Sequence, residues 1–151
     1  ETRTKIGFNA VASLLGMGWG AAWWAIVKGK KDSPSGHTYF SANARNSFKV
    51  DNRSNTKEIY TNKNTAIKTI LYSRGNPSVK IKKIMHKLSI ENIIHCGSAL
   101  KFCLLSEGLA DVYIRHDPCY EWDTAAGHAI LEHSGGKVTD FNYNEILQSE
   151  D

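Results

Sequence analysis

The second half of the chain alternates between amphipathic segments and short apolar runs. Between residues 78 and 88, apolar side chains recur every three or four positions with lysines between them, which predicts an amphipathic helix. A second helix is predicted for residues 97–107, because Gly108 is a typical stop signal. A third is predicted for residues 122–134, ahead of a pair of glycines.

Short runs rich in β-branched and aromatic residues separate these helices and predict strands. The runs cover residues 68–73, 92–96, 110–114 and 137–141. Alternation of strands and helices is typical of a layered α/β domain, so we predict this fold class.

The first half of the chain has a weaker pattern. Residues 29–36 carry turn chemistry, with a proline and two glycines, and residues 37–42 predict a short strand. Residues 43–64 are rich in Asn, Lys and Ser, so we expect mostly loop or a weak strand there. No internal repeat is visible.

An apolar run near the start permits more than one interpretation. Residues 6–27 carry no charge, and their length of 22 residues is enough to span a bilayer. However, several glycines and polar residues dilute the run, and basic residues flank it on both sides. Buried strands or a poorly folded stretch are the alternatives to an inner-membrane anchor.

Composition narrows the class of protein. At 151 residues the chain is long enough for one domain with a sizeable core. The net charge of +4 is modest and its cations are scattered, so we predict no nucleic-acid partner. Three cysteines, Cys96, Cys103 and Cys119, match neither a disulfide framework nor a CxxC metal site. Reduced thiols indicate a cytoplasmic protein.

Polar residues follow three of the predicted strands, where open α/β sheets collect ligands. Ser98 is a natural helix N-cap, and Lys101 stands where a capping box would have Glu or Gln. A bound anion would resolve the unfavourable position of this cation; the alternative is that Lys101 extends to solvent. Arg115 could grip a phosphate or lie on the surface. Asp123 could cap a helix or bind Mg²⁺.

Two of these segments resemble a known family. Residues 122–136 read WDTAAGHAILEHSGG, which is similar to the C-terminal signature of the inositol monophosphatase superfamily. Residues 97–115 read GSALKFCLLSEGLADVYIR, which resembles its 3'(2'),5'-bisphosphate nucleotidase branch. Lys101 and Arg115 favour this branch, because inositol monophosphatases proper usually lack both residues.

The resemblance implies a layered αβαβα sandwich and magnesium-dependent hydrolysis of the 3'-phosphate of 3'-phosphoadenosine 5'-phosphate. By position, Asp123 would bind Mg²⁺ and substrate, and Ser98, Lys101 and Arg115 would contact the nucleotide or its phosphates. The alternatives are a sugar phosphatase like inositol monophosphatase and a non-catalytic nucleotide- or phosphate-binding protein.

The sequence also departs from the family pattern. The DPLDGT-like motif that supplies two metal-binding aspartates does not occur, and neither does the family's metal-binding glutamate motif. Gly75 and Asn76 stand where the family has a serine and a nucleotide-contacting histidine. The resemblance therefore implies a truncated enzyme, mostly a C-terminal domain, that is weak or inactive alone and has a possible partner chain carrying the other half. We predict three units in the chain. Residues 1–36 are an atypical apolar segment and turn, residues 37–64 join it to the rest, and residues 65–151 form the C-terminal α/β phosphatase domain.

Overall fold

The structure is a computed structural model that describes residues 8–13, 24–29, 36–42, 46–73, 75–97, 100–115 and 121–145. Within these ranges the chain forms two sheets and three helices. The larger sheet is antiparallel, and its five strands follow one another in chain order. They are β1 (Phe8–Ser13), β2 (Trp24–Gly29), β3 (Thr38–Ala42), β4 (Asn46–Val50) and β5 (Thr56–Ile59).

The apolar run of residues 6–27 contributes β1 and β2, which pair as an antiparallel hairpin. Residues 8–13 and 24–27 of the run therefore form strands, and residues 14–23 lie outside the described ranges. Of the helices in the described ranges, none has the length and apolar character needed to cross a bilayer. The division of the chain after residues 36 and 64 stays a prediction.

Residues 43–64, where we expected mostly loop or a weak strand, contribute the two strands β4 and β5, which pair as a hairpin. In β4, Ser47 is fully buried, while Phe48 stacks on Phe40 of β3 with 5.1 Å between ring centroids. Aromatic cross-strand pairs of this kind stabilise antiparallel sheets. The polar composition of the segment concealed two strands, of which β4 pairs with β3 and β5 pairs with β4.

Two turns of the same design connect polar segments. In each, an aspartate accepts hydrogen bonds from the backbone N–H groups two and four residues later, and its second oxygen accepts from the Asn side chain at the fourth position. The turns are Asp51–Asn55 and Asp140–Asn144. The residue before each asparagine has a positive φ, 63° at Ser54 and 65° at Tyr143. The strand predicted for residues 137–141 was wrong: this turn leaves only an isolated bridge between Thr139 and Glu145 among the described residues.

The smaller sheet is parallel, with strand order β7-β6-β8. Its strands are β6 (Thr69–Tyr72), β7 (Asn92–His95) and β8 (Val112–Tyr113). Helix α1 (Val79–Lys87) connects β6 to β7, and α2 (Leu100–Ser106) connects β7 to β8. The strands at 68–73, 92–96 and 110–114 and the helices at 78–88 and 97–107 are thus confirmed, with ends shifted by a few residues.

The order of these strands reverses at β6. The first connection moves from β6 to one side, and the second returns past β6 to its other side. Because parallel crossovers are right-handed, the reversal places α1 and α2 on opposite faces of the sheet. The crevice between the carboxyl ends of β6 and β8 is therefore a topological switch point, where open α/β sheets bind ligands.

The opposite, amino edge of this sheet is held by Asp111. Its carboxylate accepts the backbone N–H groups of Lys68 and Thr69, at 2.9 and 2.8 Å, and the side-chain amide of Asn62, at 2.6 Å. Burial raises the pKa of Asp111, but these three donors outweigh burial and hold the pKa below its usual value. Asp111 therefore ties the start of β6 to the segment that leads into β8.

Helix α3 (Glu121–His133) confirms the third predicted helix and packs against β1–β4 and α2. Small residues allow a close approach. A Cβ atom at Gly127 would lie 2.6 Å from the ring of Phe102 on α2. On the sheet side, Ser47 donates to the backbone oxygen of Ile130 at 2.6 Å, and Ser41 contacts His133 Nδ1.

Helices α2 and α3 lie between the two sheets, because each contributes to both hydrophobic clusters. Cys103 and Ile130 pack with Tyr39 of the antiparallel sheet. Phe102 and Leu131 pack with Leu71 of the parallel sheet. The resulting order of layers is antiparallel sheet, helices, parallel sheet, as the predicted layered sandwich requires.

Candidate functional site

The candidate site lies at the carboxyl edge of the parallel sheet, at the switch point. Ser73 follows β6, Cys96 follows β7, and Arg115 lies two residues beyond β8. Lys101, the second residue of α2, reaches into the space between these strand ends. Elements distant along the chain thus bring polar groups together at one edge.

The ammonium group of Lys101 is held by neutral groups. Its Nζ donates to Ser73 Oγ at 3.2 Å and to the backbone oxygen of Cys96 at 3.3 Å. It also lies over the ring of Tyr113, 4.8 Å from the centroid, in a cation–π contact. The Tyr113 ring is in turn held edge-on by Phe102. The position of this cation is therefore fixed by three separate chain segments.

Lys101 is 2% exposed, so the alternative that it extends to solvent was wrong. Among the residues that the structure describes, no carboxylate oxygen lies within 4.0 Å of its Nζ. Burial lowers the pKa of Lys101, and the nearby Arg115 cation lowers it further, while the Cys96 thiol has the opposite effect. A buried cation without a counter-charge attracts an anionic ligand.

The other predicted residues have different standing. Arg115 is exposed at the same edge and is close enough to influence Lys101 electrostatically. The backbone of Asp123 lies in the first turn of α3, as predicted, but its side chain is outside the description. Ser98, with its predicted role as an N-cap, lies outside the described residues altogether.

Sequence reasoning missed Ser73 and Tyr113, whose side chains contact Lys101. A usable signal was present for Ser73, because it follows a predicted strand in the parallel sheet and so had to reach the carboxyl edge. Tyr113 carried no such signal. Its aromatic ring looked like part of an ordinary strand, and only the approach of α2 places it beside a cation.

The metal prediction was tested against the donor atoms present. In the described part of the chain, no group of three or more His, Cys, Asp or Glu side chains could hold a metal ion. A magnesium site normally uses carboxylates together with substrate phosphate and water. The described side chains by themselves therefore do not fit a magnesium site.

A second polar cluster, which is partly buried, lies just past the other end of α2. Glu107 accepts from the hydroxyl of Tyr39 at 2.5 Å and pairs with Lys49 Nζ at 2.7 Å. Burial and this hydrogen bond raise the pKa of Tyr39. Since Tyr39 and Lys49 belong to β3 and β4, the cluster fastens α2 to the antiparallel sheet.

Comparison with known proteins places this geometry in a family. The model of the inositol monophosphatase family matches residues 26–150. The chain belongs to the inositol monophosphatase family. The match extends well beyond the two segments that carried the sequence resemblance and includes most of the antiparallel sheet.

Curated relatives within the inositol monophosphatase family carry the name of the predicted branch. The 3'(2'),5'-bisphosphate nucleotidase CysQ of Buchnera aphidicola is 43% identical over 83 residues, which cover 53% of this chain and 31% of that protein. CysQ of Escherichia coli strain K12 is 39% identical over 72 residues, 48% of this chain and 29% of that protein. The chain thus matches less than a third of the length of these curated relatives.

The fold prediction is confirmed by solved structures of the inositol monophosphatase family. CysQ from Bacteroides thetaiotaomicron matches with a TM-score of 0.59 at 24% identity, over 74% of this chain and 47% of that one. Mycobacterium tuberculosis SuhB matches with a TM-score of 0.57 at 19% identity, over 74% of this chain and 46% of that one. At such identities the likeness concerns the fold.

Proposed function

We propose that this chain carries part of the substrate site of a phosphatase that acts on a 3'(2'),5'-bisphosphorylated nucleotide. The observation that supports this most directly is the buried ammonium of Lys101 at the switch point of the parallel sheet. The names of the CysQ relatives support the choice of substrate.

A phosphate group would complete the environment of Lys101. A lysine ammonium has three N–H donors, and two of them have neutral acceptors within the described residues. A phosphate oxygen would accept the third and supply a negative charge that the described residues around Lys101 do not provide. Arg115, exposed at the same edge, and Ser98 are the further proposed contacts.

The proposal includes Mg²⁺ as cofactor, with Asp123 as one ligand. The position of Asp123 in the first turn of α3, a helix that packs against α2, supports this role. The other ligands would come from outside the described side chains, for example from a partner chain. Bound Mg²⁺ would supply Lewis-acid activation of a water and of the phosphoryl group. A cytoplasmic location is also proposed, supported by the free, buried thiols of Cys96 and Cys103.

Calorimetry with inorganic phosphate and with 3'-phosphoadenosine 5'-phosphate tests the proposal. We expect Lys101→Met to weaken both affinities by about tenfold or more, because a charge-assisted hydrogen bond contributes about 1.5–3 kcal/mol. Lys137→Met is the matched control, since that lysine side chain is 75% exposed and lies in the C-terminal turn region. Equal affinities for wild type and Lys101→Met would contradict the proposed site.

A second candidate is a non-catalytic nucleotide- or phosphate-binding protein. It is favoured by the lack of a metal-binding cluster among the described side chains. Binding that needs no Mg²⁺, without release of phosphate, would support this candidate. Magnesium-dependent turnover of 3'-phosphoadenosine 5'-phosphate that is lost in Asp123→Asn would support the enzyme.

A further inference from the structure

The end of β7 carries an exposed histidine, His95, that the predicted site did not include. Successive side chains of a strand point to opposite faces of the sheet. Leu71 and Cys96 belong to the cluster around Phe102, so they point towards α2. Their neighbours Tyr72 and His95 therefore lie on the opposite face, the face away from Lys101.

The ring of His95 has a defined orientation although it is exposed. Its Nδ1 lies 3.1 Å from the backbone oxygen of Ser73, and since a carbonyl only accepts, Nδ1 carries the proton. The ring of Tyr72 meets the His95 ring at 84°, with 6.5 Å between centroids. An exposed ring fixed by a hydrogen bond and an edge contact loses little entropy when a ligand stacks on it.

Ser73 connects this ring to the proposed phosphate site. Its hydroxyl accepts from Lys101 on one face of the sheet, and its carbonyl accepts from His95 on the other. A cation and a flat ring are therefore each one hydrogen bond away from the same residue. This spacing suits a ligand that joins an anionic group to a planar group.

We infer that His95, supported by Tyr72, is the stacking surface for the nucleobase of the ligand whose phosphate Lys101 holds. The inference rests on the proposed function. Aromatic stacking contributes about 1–3 kcal/mol per base in other proteins and does not require a particular base. In this arrangement the phosphate and the base of the ligand lie on opposite sides of Ser73. The phosphate lies on the face towards α2, and the base lies on the other face of the sheet.

Adenosine 5'-phosphate and ribose 5-phosphate separate the two roles, because they differ only by the base. We expect His95→Ala to weaken binding of adenosine 5'-phosphate about tenfold in calorimetry. The affinity for ribose 5-phosphate should not change. His95→Phe, which keeps a flat ring, should retain most of the affinity for adenosine 5'-phosphate. Both substitutions are at an exposed position, and circular dichroism would verify that the fold is kept.

The outcomes distinguish this inference from the proposed function. If His95→Ala leaves both affinities unchanged, or weakens both equally, the stacking role is overturned while the phosphate site stands. If His95→Phe binds adenosine 5'-phosphate as poorly as His95→Ala, the ring does not act by stacking and the inference also fails. If wild type binds ribose 5-phosphate no better than Lys101→Met does, the proposed function itself fails.

Discussion

The two ends of helix α2 carry charges in contrasting environments, a buried one in the first turn and a partly buried one just after the last turn. Lys101, in the first turn, is surrounded by a hydroxyl, a carbonyl and an aromatic ring. Glu107, just after the last turn, has both a cation and a hydroxyl donor, in Lys49 and Tyr39. One charge lacks a counter-charge among the described residues, and the other is paired.

The difference separates a binding site from a structural contact. A paired and hydrogen-bonded buried charge loses little by being away from water, whereas an uncompensated one costs free energy until a ligand arrives. The Glu107 cluster accordingly joins α2 to the antiparallel sheet. The environment of Lys101 has the character of a site that an anion completes.

The largest expected effect is on stability, at the Glu107 end. Glu107→Ala leaves Lys49 without its carboxylate and Tyr39 without its acceptor, so it should lower the free energy of unfolding by about 3 kcal/mol. Urea unfolding measures this. Glu91→Ala is the matched control, because the Lys68–Glu91 pair is more than half exposed and should contribute less than about 1 kcal/mol. Equal losses in the two variants would remove the contrast between the two ends of α2.

At the Lys101 end of α2, removing the charge should stabilise the folded state instead of destabilising it. Without ligand, Lys101→Met should raise the free energy of unfolding by about 1 kcal/mol, because it removes a buried cation that has no counter-charge among the described residues. A melting temperature higher by about 2–4 °C is the corresponding readout. Because the pKa of Lys101 is lowered on folding, the unfolded state holds this proton more tightly, so wild-type stability should also rise as pH approaches about 10.4. A destabilised Lys101→Met chain would show that the lysine is structural.

An effect of similar size concerns Asp111, at the amino edge of the same parallel sheet. Since its pKa is lowered on folding, its contribution is present above about pH 4 and is lost as pH falls through the folded value. In Asp111→Asn, the free energy of unfolding that is lost on acidification should therefore be smaller than in wild type by about 1 kcal/mol. Phosphate affinity should stay unchanged, because Asp111 lies at the opposite edge from Lys101. An acid dependence identical to wild type would contradict the assigned role.

Much of the parallel half was predictable from the sequence. The helices around Ile81, Phe102 and Ile130 were visible as periodic or capped segments, because local pattern determines them. The placement of Lys101 and Arg115 at strand ends was also predictable, since parallel strands bring their carboxyl ends to one edge.

The environment of Lys101 was not predictable in the same way. Its burial depends on Ser73, 28 residues earlier, and on the ring of Tyr113, twelve residues later. Such contacts exist only after two crossovers have formed. The sequence suggested at most a weak strand where the β4–β5 hairpin lies, because these strands are polar and depend on their neighbours for pairing. The spacing of Asp51 and Asn55 was nevertheless a usable turn signal.

The two aspartate turns are segments that could be exchanged in a redesign of this chain. Every hydrogen bond that we describe from the carboxylates of Asp51 and Asp140 ends within the same five residues. The conformation of each turn is therefore determined by its own five residues and does not depend on the sheet beside it. The pentapeptides Asp51–Asn55 and Asp140–Asn144 should act as interchangeable parts, and either could be transplanted into the other position without redesign of its surroundings.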